Sequence, residues 1–582
     1  MNLILTVLLI LSFAGFYLAY KAFIKDNSAF FPVLFVAGSS VVSYVFGIVG
    51  LLRIGFYIVL GIGIILIPLS IVKQLKAGNK NLFKQFLDPT LLFLAVGIVW
   101  AYFITRNVGL SHPDDFSHWY KICKVLHADN SFPTNIDIRF TTYTPGTATW
   151  IYIFTNAAGF SVPNCLWAQS IINLACCCSL ISVIPVKASK LSKVIIYLGI
   201  CGTSVLLCAI DVSTYSLLVD CTLPLIALSA AFYLYEHKFV LDKISIPILI
   251  SLMAFMELVK FSGLVFALFI LILYLMEGKN QKQTKKALRV LVTFVVPVGI
   301  SLLYRLRNSF IYANINVSNQ AVSVERYSQL LSAKSSESVM NTILNVFLMA
   351  FNPAGEYAQV IIAWVCFLIL IALVLLQKKK LIKVNEGANY LRLLEYSFLC
   401  YLIYVVFLAL TYVFSMNAYE AETLSCCFRY MGSIAVFVVG LFCYYLMKSV
   451  SASDDKNLLI KMAAYIVVTF IFGHLLFGYG YICEGKQQYS PHEYFIDSTP
   501  WNKISEYAEE KMEFTDARYL VIWDDSYLAN SHYASFQIDY VAGAYLRSVK
   551  VTSIMMSEID ENSDLISEYD SEHIIVVGEL NN

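Results

Sequence analysis

Charged residues are scarce in this sequence. Only 14% of its 582 residues are Asp, Glu, Lys or Arg, whereas 59% are hydrophobic. A water-soluble protein of this length carries more charge on its surface, so the composition excludes that class. The mean hydropathy of +0.69 agrees with this conclusion. Together these values predict a protein that crosses a membrane many times.

The sequence also lacks the cysteine spacings of a metal or disulfide framework. Its 14 cysteines fall mostly inside apolar runs, such as Cys176–Cys178, where a free thiol behaves as a small hydrophobic side chain. No CxxC pair and no Cys/His spacing of a zinc site is present. We therefore expect neither zinc nor disulfides to organise the fold.

The first apolar run, 2–20, lacks the features of a removed signal peptide. No basic residue precedes it, and no small-residue cleavage site follows it. Its basic residues, Lys21 and Lys25, come afterwards. This pattern predicts a first membrane span that ends in the cytosol.

Long apolar runs predict an α-helical, multi-pass protein of a cell membrane, with about 12–14 transmembrane helices. The predicted spans are 2–20, 30–50, 54–72, 90–105, 163–184, 194–210, 215–234, 245–259, 261–276, 288–304, 357–377, 394–415, 428–447 and 460–480. Lysine-rich turns follow the third, fifth, ninth and eleventh of these spans. Because such turns stay in the cytosol, one alternating path places the loops 106–162 and 305–356 on the extracytoplasmic side.

The end of the sequence has a different composition. Residues 484–582 contain 6 Lys and Arg against 19 Asp and Glu, so this segment carries a charge of −13 while the whole chain carries +1. Segments 517–523, 547–554 and 573–578 have the β-branched composition of strands, and 531–546 has helical spacing. We predict a small, acidic, extracytoplasmic α/β domain here. The full division is then N-terminal transmembrane helices (1–88), a transmembrane core (89–483) and this domain (484–582).

A polar segment, "HPDDFSHWYK" (112–121), follows the fourth predicted span. Asp114 and Asp115 suit the first turn of a short helix, where the helix dipole favours anions. One of them can cap the helix, but two adjacent carboxylates repel each other and require a further explanation. Asp114 and His118 share a face because they are four residues apart. Trp119 is expected at the lipid boundary.

Further polar elements occur on the same predicted side of the membrane. They are the turn "YTPG" (143–146), Asp220 in "LLVDC" at the start of a span, Glu257 and Lys260 in "MELVKFSG" at the turn of a hairpin, and Arg429 and Tyr430 in "EAETLSCCFRYMG" before a late span. Ionisable residues at or inside a membrane are costly and commonly functional.

In this order, these elements resemble the GT-C superfamily of integral-membrane glycosyltransferases. The likeness is to bacterial members that carry "DE-x-x-HW" and "YPPG" elements, for which "DDFSHW" (114–119) and "YTPG" (143–146) stand here. It rests on scattered motifs between about residues 106 and 447. One departure is that the acidic loop follows the fourth predicted span, whereas family members often carry it after the first.

The resemblance implies transfer of a sugar from a polyprenyl-phosphate donor to a cell-envelope glycan, lipid or protein on the extracytoplasmic face. Such a reaction needs a base for the acceptor hydroxyl and cations for the departing phosphate. The catalytic candidates are Asp114 and Asp115, in either order. The substrate-binding candidates are His118, Tyr143, Asp220, Lys260, Arg305, Arg429 and Tyr430.

Structural explanations compete with these roles. Lys260 could pair with Glu257, Arg429 could pair with Glu420 or Glu422, Arg305 could only flank a span, and Tyr143 could only pack. A divalent cation (Mg²⁺ or Mn²⁺) is used by some members of the superfamily. Its candidate ligands here are Asp114, Asp115 and His118, whose spacing is not diagnostic.

Two other functions fit a chain with many spans. A transporter or flippase of a lipid-linked glycan is the main alternative, although the sequence shows no paired half-sequence repeat. A non-catalytic assembly protein with an acidic tail is the second. The partners we expect are the lipid bilayer, the lipid-linked donor and the acceptor, and we predict no nucleic-acid partner.

Overall fold

The structure is a computed structural model. It describes residues 2–78, 82–110, 112, 114–134, 143–185, 189–210, 216–278, 286–312, 324–380, 389–451, 458–477, 504, 507–508, 515, 517–524, 542–548, 550–559, 567 and 569–577.

The described chain is mostly helical. Its first helices are α1 (Leu3–Ala19), α2 (Phe31–Ile48), α3 (Leu52–Lys76), α4 (Pro89–Thr105), α5 (Tyr120–Asp129), α6 (Gly146–Ala158), α7 (Val162–Cys177), α8 (Lys190–Ala209), α9 (Thr222–Glu236) and α10 (Ser245–Val259). They are followed by α11 (Gly263–Glu277), α12 (Lys286–Ile311), α13 (Val324–Ser332), α14 (Ser336–Ala350), α15 (Ala358–Lys378), α16 (Tyr390–Phe414), α17 (Ala418–Glu422), α18 (Cys427–Ser451) and α19 (Leu458–Phe477).

The predicted membrane-spanning architecture is confirmed. Within the described residues, ten helices are long and apolar enough to cross a membrane, and α4, α9, α10 and α11 are shorter apolar helices. Each of these fourteen helices overlaps one of the fourteen predicted spans. The sequence did not predict α6, α13, α14 or α17 as separate helices, because all four lie inside segments that were assigned to loops.

Side chains next to the spans determine where several helices begin. The carboxylate of Asp88 accepts a hydrogen bond from the Thr90 amide, and Pro89 occupies the first position of α4. The hydroxyls of Ser161 and Ser189 cap α7 and α8 in the same way. Such caps satisfy backbone N–H groups that have no partner within the helix.

Helices α7, α9 and α18 form the centre of the bundle, and most of their side chains are buried. Helices α9 and α18 begin at the same end, where Asp220 and Arg429 form an ion pair. They also finish together, because Lys448 of α18 pairs with Glu236, the last residue of α9, at 2.5 Å. The bundle therefore has two distinct ends, and the candidate residues cluster at one of them.

A small parallel sheet follows the helices. Its strands are β1 (Tyr519–Trp523), β2 (Val551–Met555) and β3 (His573–Val577), in the order β2-β1-β3. Tyr519 is in register with Val551 on one side and His573 on the other. The three predicted strands are confirmed, whereas most of the predicted helix over 531–546 lies outside the described residues.

The C-terminal part of the chain contacts the bundle next to the segment "HPDDFSHWYK" (112–121). Lys124 of α5 is buried and its Nζ donates to the carbonyl oxygen of Gly543 at 2.6 Å. The rings of Phe116 and Tyr545 lie 6.1 Å apart. The described residues 542–548 therefore cover the helix that carries the sequence "DDFSHW".

Helices α1 and α3 cross through small residues, which yields a stability test. A Cβ atom on Gly63 would lie 2.5 Å from Cα of Ser12, whereas a Cβ on Gly61 of the same helix would meet nothing within 4 Å. We expect Gly63→Ala to lower the thermal unfolding temperature, because the backbones could no longer approach so closely. Gly61→Ala is the matched control and should leave the temperature unchanged or raise it. Equal unfolding temperatures for the two variants would contradict the observed crossing.

Candidate active site

Four charged side chains from distant parts of the sequence form one ion-pair chain. Nη1 of Arg429 donates to Oδ2 of Asp114 at 2.7 Å. Nε of the same guanidinium lies 3.2 Å from Oδ2 of Asp220, and Lys260 Nζ donates to the other oxygen of Asp220 at 3.0 Å. The order Asp114–Arg429–Asp220–Lys260 joins the segment after α4 to the starts of α9 and α18 and to the turn between α10 and α11.

The local pairings considered from the sequence do not occur. Lys260 pairs with Asp220 rather than with Glu257, and Arg429 pairs with two aspartates rather than with Glu420 or Glu422. Glu420 instead completes the capping box of α17, and Glu422 accepts a hydrogen bond from Ser338. Distant charges in the chain therefore compensate one another at the bundle end.

The two adjacent aspartates have different surroundings. Asp115 is fully buried and accepts hydrogen bonds from the hydroxyl of Ser216 at 2.9 Å and from the amide of Leu217 at 3.0 Å. The side chain of Asp114 remains 31% exposed. Neither carboxylate caps the helix, which begins as a π-helical turn over Asp115–Trp119. The capping interpretation is therefore wrong for both.

Their ionisation differs as well. Burial raises the pKa of Asp115 to about 7; the hydrogen bond from Ser216 offsets part of this effect, and the charge of Asp114 adds to it. Burial also acts to raise the pKa of Asp114, but the positive charge of Arg429 outweighs it and holds that pKa well below its usual range. Near neutral pH, Asp114 is thus ionised while Asp115 is partly protonated.

An aromatic cluster surrounds the next residues of the turn. The ring of Trp119 stacks on Tyr143 with centroids 5.5 Å apart, and His118 meets Tyr143 edge-on at 5.0 Å. Burial lowers the pKa of His118 to about 3, so its imidazole is neutral. Trp119 is only 5% exposed. Its predicted position at the lipid boundary is therefore wrong, because the loop folds back onto the bundle.

The turn "YTPG" holds the end of α10. A Cβ atom on Gly146 would lie 2.4 Å from the carbonyl carbon of Leu258, so only glycine permits this approach. The hydroxyl of Thr144 donates to the carbonyl oxygen of Glu257 at 3.4 Å. This contact positions the backbone from which Lys260 projects.

A cavity of about 220 Å³ begins at the Lys260–Asp220 pair. Its charged lining consists of the cations Lys260, Arg305 and Arg326 and the carboxylates Asp220 and Glu257. Its remaining lining includes Tyr143, Thr144, Ser301, Tyr404 and Tyr430. Asp114 and Arg429 do not line it, but Arg429 pairs with Asp220, which does.

The cavity continues into an apolar groove between α13 and α16. The groove is lined by Tyr327, Ser328, Leu331, Phe407, Leu410, Thr411, Phe414 and Ser415. Four of its members, Tyr327, Phe407, Thr411 and Ser415, also line the cavity, so the two spaces adjoin each other. Nearby side chains on α16, such as Val406 and Leu410, are exposed on the outside of the bundle.

The cation Arg305 is directed at this cavity rather than used in an ion pair. Its guanidinium lies 4.0 Å from the ring centroid of Phe261, and no carboxylate among the described residues pairs with it. Arg307, two residues on, donates instead to the carbonyl oxygens of Phe132 and Pro133 and supports the loop. The flanking explanation therefore suits Arg307 better than Arg305.

All nine candidate residues lie at this one end of the bundle, although they have different environments. Lys260, Asp220, Arg305, Tyr143 and Tyr430 line the cavity; Asp114 and Arg429 adjoin it; Asp115 and His118 are buried next to it. The sequence did not single out Ser301, Arg326 or Tyr404. Ser301 and Tyr404 lie inside apolar spans and Arg326 in a long loop, so no motif marks them.

A metal site is not evident in the described part of the chain, where no group of three His, Cys, Asp or Glu side chains could hold an ion. Asp115 is occupied by Ser216 and Leu217, and Asp114 by Arg429. The use of Mg²⁺ or Mn²⁺ stays a prediction.

The ion-pair chain can be tested by a double-mutant cycle. Arg429→Gln should lower the unfolding temperature, because it leaves Asp114 without its partner and Asp220 with only Lys260. The double variant Arg429→Gln/Asp114→Asn should lose less free energy of unfolding than the two single variants lose together, and the coupling free energy should be roughly 0.5–3 kcal/mol. Arg392→Gln, which breaks a more exposed pair with Glu277, is the control with a small effect. Strict additivity of Arg429→Gln and Asp114→Asn would contradict the pairing.

The raised pKa of Asp115 predicts a pH effect with a definite sign. An aspartate that holds its proton up to about pH 7 when folded, but only to its ordinary pKa when unfolded, makes folding take up a proton. Its contribution to stability therefore falls as the pH rises from about 4 to about 7. Relative to Asp115→Asn, the wild type should lose unfolding temperature over this range. A difference between the two that does not vary with pH would contradict the assignment.

Comparisons with known proteins give a distant likeness. No protein-family model matches the chain, and no curated protein matches it. Among solved structures, ArnT from Cupriavidus metallidurans in the apo state is 14% identical, with a TM-score of 0.33 and coverage of 80% of this chain and 85% of that chain. The same protein bound to undecaprenyl phosphate is 12% identical, with a TM-score of 0.32 and coverage of 84% and 89%.

Proposed function

We propose that this chain is a membrane glycosyltransferase that takes a sugar from a polyprenyl-phosphate donor and passes it to an acceptor in the cell envelope. The observation that carries the proposal is a cavity with a cationic lining that continues into an apolar groove on the outside of the bundle. A lipid-linked phosphate has the same two parts, an anionic head and an apolar chain.

The cations of the cavity suit the phosphate. Lys260 and Arg305 lie on neighbouring elements, and Arg326 of α13 completes the set. When the bond between the sugar and the phosphate breaks, negative charge grows on the phosphate oxygens, and preorganised cations stabilise that charge. Arginine provides paired N–H donors for phosphate, while lysine acts as a point charge.

The groove between α13 and α16 suits the prenyl chain. Phe407, Leu410 and Phe414 give it an apolar floor, and Leu331 of α13 lies opposite. Burying the chain against these side chains provides binding energy in proportion to the apolar area removed from water. The phosphate is thereby placed next to Lys260.

Asp114 is the base we propose for the acceptor hydroxyl. Of the two aspartates, only Asp114 is partly exposed, and the charge of Arg429 keeps it ionised at neutral pH. In the reaction, a carboxylate oxygen of Asp114 takes the proton of the acceptor hydroxyl as the acceptor oxygen bonds to the anomeric carbon of the sugar. The bond between that carbon and the phosphate oxygen breaks, and its electrons go to the departing phosphate. Asp115 holds the turn in place through Ser216 and Leu217.

The position of the charges favours a transferase over the transporter considered above. Asp220 and Arg429 lie at the beginnings of α9 and α18, at one end of the bundle. Transport sites typically lie near the middle of the membrane between repeated halves. The extracytoplasmic location of the site and of the acidic domain belongs to the proposal and rests on the charge pattern of the sequence.

Paired aspartate variants test the assignment. In membranes containing the full chain, with a panel of radiolabelled polyprenyl-phosphate sugars and extracted envelope glycans, Asp114→Asn should lower transfer by about a hundredfold or more. Asp115→Asn is the matched control and should retain most activity, because the asparagine side-chain oxygen can still accept the hydrogen bond from the Leu217 amide. Wild-type transfer by Asp114→Asn would exclude it as the base. No transfer by the wild-type chain from any donor of the panel would contradict the proposed function itself.

A further inference from the structure

One carboxylate in the cavity wall is not used by the proposed reaction. Glu257 of α10 is only 2% exposed and lines the cavity. Its Oε2 accepts a hydrogen bond from the hydroxyl of Ser301 at 3.1 Å, whereas its buried Oε1 has no hydrogen-bond partner among the described residues. A buried polar atom without a partner destabilises the fold, so such an atom next to a cavity indicates a ligand.

The neighbouring cations do not satisfy this carboxylate. Lys260 is three residues away along the chain but directs its ammonium group to Asp220. Arg305 lies against the ring of Phe261. The cavity therefore keeps its cations and this carboxylate apart, although all of them border the same space of about 220 Å³.

The two kinds of group occupy successive levels of the cavity. Ser301 and Arg305 are four residues apart on α12 and share a face, which separates them by about 6 Å along the helix axis. Glu257 lies in the last turn of α10, and Lys260 follows the end of that helix. Since Ser301 bonds to Glu257, the carboxylate and the hydroxyl form one level, and Lys260 and Arg305 form the next level toward the helix ends.

We propose that Glu257, supported by Ser301, binds a hydroxyl group of the transferred sugar and so contributes to sugar specificity. This inference rests on the proposed function, because it assumes that the cations hold the donor phosphate. A sugar attached to that phosphate reaches the level of Glu257, where Oε1 accepts a hydrogen bond from one of the sugar hydroxyl groups. The level of the cavity that contains Glu257 thus recognises the sugar, and the level that contains Lys260 and Arg305 binds the phosphate, which is common to all such donors.

Equilibrium binding to the purified full-length protein tests this division. The probes are undecaprenyl phosphate without a sugar and the same lipid phosphate carrying a hexose, a hexosamine or a pentose. Wild-type protein should bind at least one sugar-bearing lipid more tightly than the bare lipid. Glu257→Gln should reduce that preference by about tenfold, as expected for the loss of one hydrogen bond, and leave the affinity for the bare lipid unchanged. Ser301→Ala should reduce it in the same direction.

Glu277→Gln is the matched control. Glu277 is the last residue of the neighbouring helix α11, lies away from the cavity, and pairs with Arg392. It should leave both affinities unchanged. The inference is overturned if the wild type shows no preference for a sugar-bearing lipid or if Glu257→Gln keeps the preference. It is also overturned if Glu257→Gln lowers the affinity for the bare and the sugar-bearing lipid equally. Failure of the wild type to bind bare undecaprenyl phosphate would instead contradict the proposed donor, so the two failures are distinguishable.

Discussion

The guanidinium of Arg429 lies between two carboxylates, and the arrangement of the site depends on this contact. Asp114 and Asp220 would repel each other without a cation between them, and neither could be buried alone at reasonable cost. By bridging them, Arg429 joins the loop after α4 to the start of α9 through the first turn of α18. Lys260, in the turn between α10 and α11, also compensates the negative charge of Asp220. Ion pairs between opposite charges therefore join four segments of the chain.

Backbone packing holds these charges in position. The close approach of Gly146 to Leu258 supports the end of α10, and the stacked rings of Trp119 and Tyr143 support the acidic turn. Ser216 and Leu217 fix Asp115 and thereby orient Asp114 next to it. Asp114 and Lys260, two of the side chains that would act on substrate, thus lie at loops or turns, while the surrounding helices restrict how those segments can move.

Much of the fold could be predicted from the sequence, because apolar length and lysine-rich turns depend only on local composition. The fourteen spans and three strands are of this kind. The aspartates and Arg429 could also be named, since ionisable residues at or inside a membrane are costly and commonly functional. Their partners could not. Spacing along a helix suggested Glu257 for Lys260, but the actual partner, Asp220, is forty residues away and only the packing of α9 against α10 and α18 brings it near. The different roles of Asp114 and Asp115 likewise depend on Ser216, which no motif marks.

The hydrogen bond from Lys124 to Gly543 has a topological consequence. It joins the helix that follows the acidic turn to a residue of the C-terminal part of the chain, and a direct bond of this kind cannot cross a bilayer. The turn and that part of the chain must therefore share one compartment. A single accessibility measurement on either of them assigns both, and it also sets the orientation of every helix between them.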